Sequence, residues 1–82
     1  MIHKIVSIYD IKAMVYSKPL YFPSYAAAIR SFADAVKDEK SDYMRHPEDY
    51  IMFGFGEFND VKGTFDITLP EELVKALSLV GE

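Results

Sequence analysis

The chain contains no cysteine and no tryptophan. Without thiols it can build neither a disulfide framework nor a zinc–thiolate centre, and the redox compartment stays open. Long apolar runs are also missing, since no stretch approaches the ~20 residues that span a bilayer. Met1 to Lys4 lead straight into a strand-like pattern, unlike a signal peptide. Positive charge is scarce. Nine Lys and Arg stand against thirteen Asp and Glu, a formal charge of −4. That balance argues against strong non-specific binding of nucleic acid unless a local basic patch exists.

What the chain has in quantity is apolar and aromatic material. Half of its 82 residues are hydrophobic, with six Tyr and six Phe, enough for a packed core and too much for wholesale disorder. The length suits a single α+β domain over residues 1–82. Area scaling gives a folded surface of roughly 5,000 Å² from about 13,600 Å² unfolded. So small a core gains from an oligomeric partner, and a two-fold homodimer is the commonest form.

Periodicity supplies the elements. Ile2 to Tyr9 is rich in β-branched and aromatic residues with apolar groups at both parities, the pattern of a central strand. Asp10 suits a turn because its carboxylate can accept from nearby amides, and Ala13 to Ser17 reads as a hairpin return. Two prolines make Lys18 to Pro23 an extended connector. Ser24 then caps a helix running to about Asp38, with an apolar stripe at Tyr25, Ala28, Ile29, Phe32, Ala33 and Val36. Asp38 to Asp49 reads as a polar loop.

Tyr50 to Phe58 forms the next strand. Ile51, Phe53 and Phe55 share a bulky parity expected to face the core, while Gly54 and Gly56 thin the other side and mark a bulge or a close approach. Asn59 to Gly63 is turn chemistry. Thr64 to Thr68 should pair back with Phe65 and Ile67 inward. Thr68, Pro70 and Glu71 have capping-box spacing, so a short final helix is expected with Leu73, Val74, Leu77 and Val80 as its stripe. The sum is an α+β fold: an antiparallel sheet of three to four strands packed on one main amphipathic helix, with a short C-terminal helix.

Catalytic chemistry finds little support. No serine lies in a nucleophile elbow, and His46 beside Glu48 and Asp49 is a common turn composition. The glycine pair at 54 and 56 does not precede a helix, so no phosphate loop is present. We expect no enzyme, no catalytic residues, no metal and no cofactor. The interleaved aromatics (Tyr9, Tyr16, Tyr21, Tyr43, Tyr50, Phe53, Phe55 and Phe58 among them) could stack unpaired bases, with Lys and Arg nearby for phosphates. Most aromatics in so short a chain are also needed for the core.

Several segments, in order, resemble the small non-structural protein of gokushovirus-type microviruses, which are single-stranded DNA phages. They are Ile8-Tyr9-Asp10-Ile11-Lys12-Ala13, Ala28-Ile29-Arg30-Ser31-Phe32, His46-Pro47-Glu48-Asp49-Tyr50, and Phe53 to Asp60 followed by Gly63. The resemblance implies an early, non-virion accessory protein in single-stranded DNA replication or packaging, in the cytoplasm of the infected bacterium. It implies weak binding of single-stranded DNA by a homodimer, with Lys12, Arg30 and Arg45 on phosphates and Tyr9, Tyr43 and Tyr50 on bases. Each of these residues also has an ordinary reading, such as Arg30 pairing with Asp34 or Tyr50 opening a core strand. The alternative is a protein-interaction module that engages a phage or host replication or capsid protein without touching DNA. No membrane partner is expected.

Overall fold

The computed structural model describes residues 1–81. Strand β1 (Ile2–Asp10) is central. Along one side it pairs antiparallel with β4 (Tyr50–Asn59). Two short strands share its other side: β2 (Val15–Tyr16) at its C-terminal end and β3 (Leu20–Phe22) further back. β5 (Thr64–Lys75) pairs antiparallel with β4 and forms the far edge. The apolar groups at both parities of β1 thus serve a strand hydrogen-bonded on both sides. Among the described residues, no helix is long and apolar enough to cross a membrane.

Helix α1 (Tyr25–Val36) begins where the sequence places it, because the Ser24 hydroxyl accepts from the amide of Ala27. Its stripe lays Ala28, Phe32 and Val36 against Val6 and Ile8 of β1 and Met52 of β4. The segment read as a polar loop contains a single helical turn, α2 (Asp42–Arg45), capped by Ser41, and a 3-10 turn at Pro47–Asp49. Helix α2 ends at Arg45, and His46, the residue before Pro47, leaves helical geometry, as the steric clash with proline favours.

The turns follow their side chains. Asp10 Oδ1 accepts from the amides of Lys12 and Ala13 at 3.0 and 3.1 Å. At the β4–β5 turn, Asn59 Oδ1 accepts from Val61 and Lys62 at 3.0 and 3.1 Å, and Gly63 takes a positive φ of 67°.

The C-terminal region departs from expectation. In place of a helix starting near Pro70, β5 runs on to Lys75, and only Ala76–Leu79 is helical (α3). The register shows why proline is tolerated. Ile67 pairs with Gly56 and Glu71 with Gly54, so Thr68, Leu69 and Pro70 bulge opposite Phe55 alone. The missing donor of Pro70 falls in that bulge on an edge strand, where no ladder bond is lost. Pairing with β4 overrides a purely local capping signal. Of the expected stripe, Leu77 and Val80 are exposed, while Ala76 and Leu79 are buried.

The molecule is extended for its length. Its Cα radius of gyration is 13.0 Å, against about 11.7 Å for a compact domain of this size. Its accessible surface of 5431 Å² likewise exceeds the roughly 5,000 Å² expected. Part of this excess comes from a sheet face that no helix covers.

Candidate functional site: the open aromatic face

Antiparallel partners point to the same side of a sheet, so the register sorts every strand residue by face. Val6, Ile8, Met52, Gly54 and Val74 face the helices. His3, Ile5, Ser7 and Tyr9 of β1 face the other way, together with Tyr16, Tyr21, Phe53 and Phe58. Phe65 lies opposite Phe58, and Ile67 opposite Gly56, on that same side. The expected inward placement of Phe53, Phe55, Phe65 and Ile67 is therefore corrected. These bulky residues form the uncovered face, with Phe65 58% and Ile67 57% exposed.

The glycines explain the reversal. The helix takes the thin side of β4 because Tyr25 of α1 must approach the backbone there. A Cβ on Gly54 would stand 2.8 Å from the Tyr25 ring. The Tyr25 hydroxyl accepts from the amide of Gly56 at 3.1 Å and donates to its carbonyl at 3.4 Å. Gly56 has φ +113°, and a Cβ on it would meet the Asp66 carbonyl oxygen at 2.0 Å. Between these glycines the β1–β4 register slips, from Ile5 opposite Gly56 to Val6 opposite Gly54. Phe55 is the extra residue, and the bulge turns its ring toward Tyr16 on the open face. The glycine spacing did announce a bulge, though not the side to which it sends Phe55.

Two aromatic clusters occupy this face. In the first, Tyr16 lies 4.6 Å from Tyr9 and 5.7 Å from both Phe53 and Phe55. In the second, Phe58 lies 4.7 Å from Phe65 and 6.3 Å from Tyr21 and His3. Between them runs a groove of about 370 Å³, walled by Tyr16 and Phe55 on one side and Tyr21 and Phe65 on the other. Ile5 and Ser7 line it beneath the rings and are buried despite facing away from the helices. Ser17, Pro19 and Ile67 complete it. A second hollow of about 250 Å³ adjoins it, lined by His3, Phe58 and again Tyr21 and Phe65. Although the chain is rich in acidic residues, none of those described lines either cavity.

The six residues singled out from sequence do not converge. Tyr9 belongs to the first cluster on the open face. Lys12 sits in the exposed β1–β2 turn at the same end. Tyr43 and Tyr50 lie on the helix side, where Phe32, Tyr43 and Tyr50 form a chain of edge-to-face rings at 5.3 and 4.8 Å. The Tyr50 hydroxyl is held above the ordinary tyrosine range by desolvation first, then by the charges of Asp10, Asp42 and others. Desolvation, then Asp42, does the same for Tyr43. Arg30 is exposed on α1. Arg45 is engaged locally, donating to the Lys40 carbonyl at 3.2 Å and lying 3.9 Å from Asp42. Sequence reasoning passed over Phe65 as a surface residue. The available signal was an alternating Phe65–Ile67 pair on a strand with proline close behind.

Among the described residues there is one acid-rich cluster. Ligand atoms of His46, Glu48 and Asp49 lie within 4.8 Å of one another, with His46 and Glu48 exposed. These residues build the turn before β4: the Asp49 amide donates to the His46 carbonyl, and the Asp49 carbonyl accepts from Ile11. On the other edge, Asp60 accepts from the Met1 ammonium and pairs with His3 Nε2 at 2.8 Å. The hydrogen bond from that ammonium, then the one from His3, holds the Asp60 carboxyl below its ordinary range.

Comparison with curated proteins and with solved structures returned no match. The profile of one protein family does match, and it spans residues 3–79, which takes in all strand residues but Ile2 and both aromatic clusters. The chain belongs to the Phage ORF5 protein family.

Proposed function

We propose that this phage accessory protein serves single-stranded DNA replication or packaging by holding unpaired DNA on the open face of its sheet. The carrying observation is the pair of aromatic clusters flanking an apolar groove that, among the described residues, no carboxylate lines. Every base has a π face, and stacking on an aromatic side chain contributes about 1–3 kcal/mol per base. A polyanion also needs a site clear of carboxylates, which this acidic chain supplies only locally. Lys18, between the groove-lining Ser17 and Pro19, and Lys12 in the β1–β2 turn are the cations this reading uses, since Lys4, next to Ile5, lies over the Tyr25 ring at 5.1 Å.

With so few lysines, stacking outweighs phosphate contact. The salt dependence of single-strand binding is about −0.7 per neutralised phosphate, so a slope of roughly −2 or shallower is expected. The test is titration of a fluorescent single-stranded oligonucleotide across a salt series. Phe55→Ala should weaken binding, whereas Arg30→Ala and Arg45→Ala, on the helix side, should leave it nearly unchanged. Absence of binding at low salt would overturn the proposal.

A second reading has its own observation. An apolar, aromatic and charge-poor patch has the composition of a protein interface core. A second copy of the chain, or a replication or capsid partner, would then cover the face. Sedimentation of the DNA-free protein over a concentration series distinguishes the two, because self-association lost in Phe65→Ser would assign the face to a homodimer.

A further inference from the structure

We infer that the groove and the adjoining hollow form a two-base track that grips unpaired bases by their faces alone, and therefore takes single-stranded DNA and RNA of any sequence alike. This rests on the reading above and narrows its ligand. The two cavities share Tyr21 and Phe65, so these rings stand as a divider with one base on either side. Beneath the track, His3, Ile5 and Ser7 project in turn from β1. Alternate strand residues advance about 6.8 Å, twice the roughly 3.4 Å rise of stacked nucleotides in a duplex strand. Bases seated at that spacing are splayed from one another, each against protein rings, and a duplex cannot enter.

Reading a base edge requires unspent donors and acceptors at fixed positions, as does reading a 2′-hydroxyl. The two serine hydroxyls that line the track and His3 Nε2 are committed. The Ser7 hydroxyl donates to the Ser17 carbonyl at 2.6 Å. The Ser17 hydroxyl accepts from the Ile8 amide at 3.0 Å and faces the Lys18 carbonyl at 3.2 Å. His3 Nε2 is taken by Asp60 at 2.8 Å. Among the described residues, no Asn, Gln, Arg, Lys, Asp or Glu lines either cavity, which leaves none of the side chains that pair with base edges through two bonds. The hydroxyls of Tyr16 and Tyr21 remain, and their phenylalanine variants isolate any part they play.

The experiment is fluorescence anisotropy with labelled single strands of about twelve nucleotides, within usual site sizes. The probes are oligo-dT, oligo-dA, one mixed DNA sequence, the RNA of that mixed sequence, and its DNA duplex. Expected are dissociation constants within about threefold across the single strands and at least tenfold weaker binding of the duplex. The double variant Tyr16→Phe/Tyr21→Phe should leave the ratios among the single strands unchanged, while Phe65→Ala, its fold checked by circular dichroism, should lose fivefold or more. A tenfold preference for DNA over RNA, or for one base, would overturn the inference and leave the proposed function standing. Failure of every single strand to bind would overturn both.

Discussion

The two faces of this sheet are built from the same strands and are used in opposite ways. On the helix side, small and aliphatic groups pack to completion: Val6 is fully buried and Met52 is 2% exposed, with Ala28, Phe32 and Val36 laid over them. On the other side, the larger residues stand in solvent and touch mainly one another, edge to face or tilted. A chain shaped by stability alone would bury its rings and expose its glycines. Here Gly54 is buried and Phe65 is exposed. The fold thus rests on one face and leaves the aromatic rings of the other uncovered.

That contrast can be broken by substitution, and the largest effect is expected on the packed side. Phe32→Ala should cost about 3–5 kcal/mol by leaving a cavity under α1, whereas Phe65→Ala should cost about 1 kcal/mol or less, an exposed aromatic pair being worth about 0.5–1.5 kcal/mol. Urea unfolding of both variants measures the difference. Equal costs would mean that the open face is buried in solution.

Gly56→Ala comes next. It forces a side chain onto φ +113° and into the Asp66 carbonyl, a loss of about 3 kcal/mol. For a domain of this size that lowers the melting temperature by about 12–24 °C. An unchanged melting curve would remove the bulge from the account.

Tyr25→Phe joins the two faces. Deleting the hydroxyl leaves the Gly56 amide and carbonyl without their side-chain partner, a cost of about 1–2 kcal/mol. Because the same bulge aims Phe55, oligonucleotide affinity should fall as well. A variant that loses stability yet binds normally would show that Phe55 is placed without help from the helix.

The smallest effect is electrostatic. The lowered Asp60 carboxyl stabilises the fold above the ordinary carboxylate range, and this contribution is lost as pH falls through its lowered value. Asp60→Asn should therefore melt slightly below the parent at neutral pH, and the two curves should converge in strong acid. A gap that persists in acid would point to packing in place of charge.

Much of the covered face was legible in the sequence because its signals are local. Ser24 caps, the α1 stripe repeats at helical spacing, and Asp10, Asn59 and Gly63 each satisfy a turn by their own chemistry. The open face was harder to read for a definite reason. Alternation along β4 separates Phe53 from Met52, but nothing in alternation says which side receives a helix. That choice was made by Tyr25, about thirty residues earlier in the chain, whose ring fits only against a strand lacking a side chain at Gly54. The same distance in sequence hid the fate of Pro70, whose helix-starting context yields to pairing with β4. Of the residues chosen for DNA contact, Tyr9 shares the aromatic face, while Tyr43 and Tyr50 were drawn into packing with Phe32. Single aromatics announce that a ring is present, and only the register tells whether it faces solvent.

The most direct measurement of the central claim is the aromatic NMR spectrum of the protein titrated with oligo-dT. The account predicts shifts for Tyr16, Tyr21, Phe55 and Phe65, with Phe32, Tyr43 and Tyr50 unmoved. Shifts confined to Tyr43 and Tyr50, or shifts of the open-face rings that follow protein concentration and ignore DNA, would contradict it.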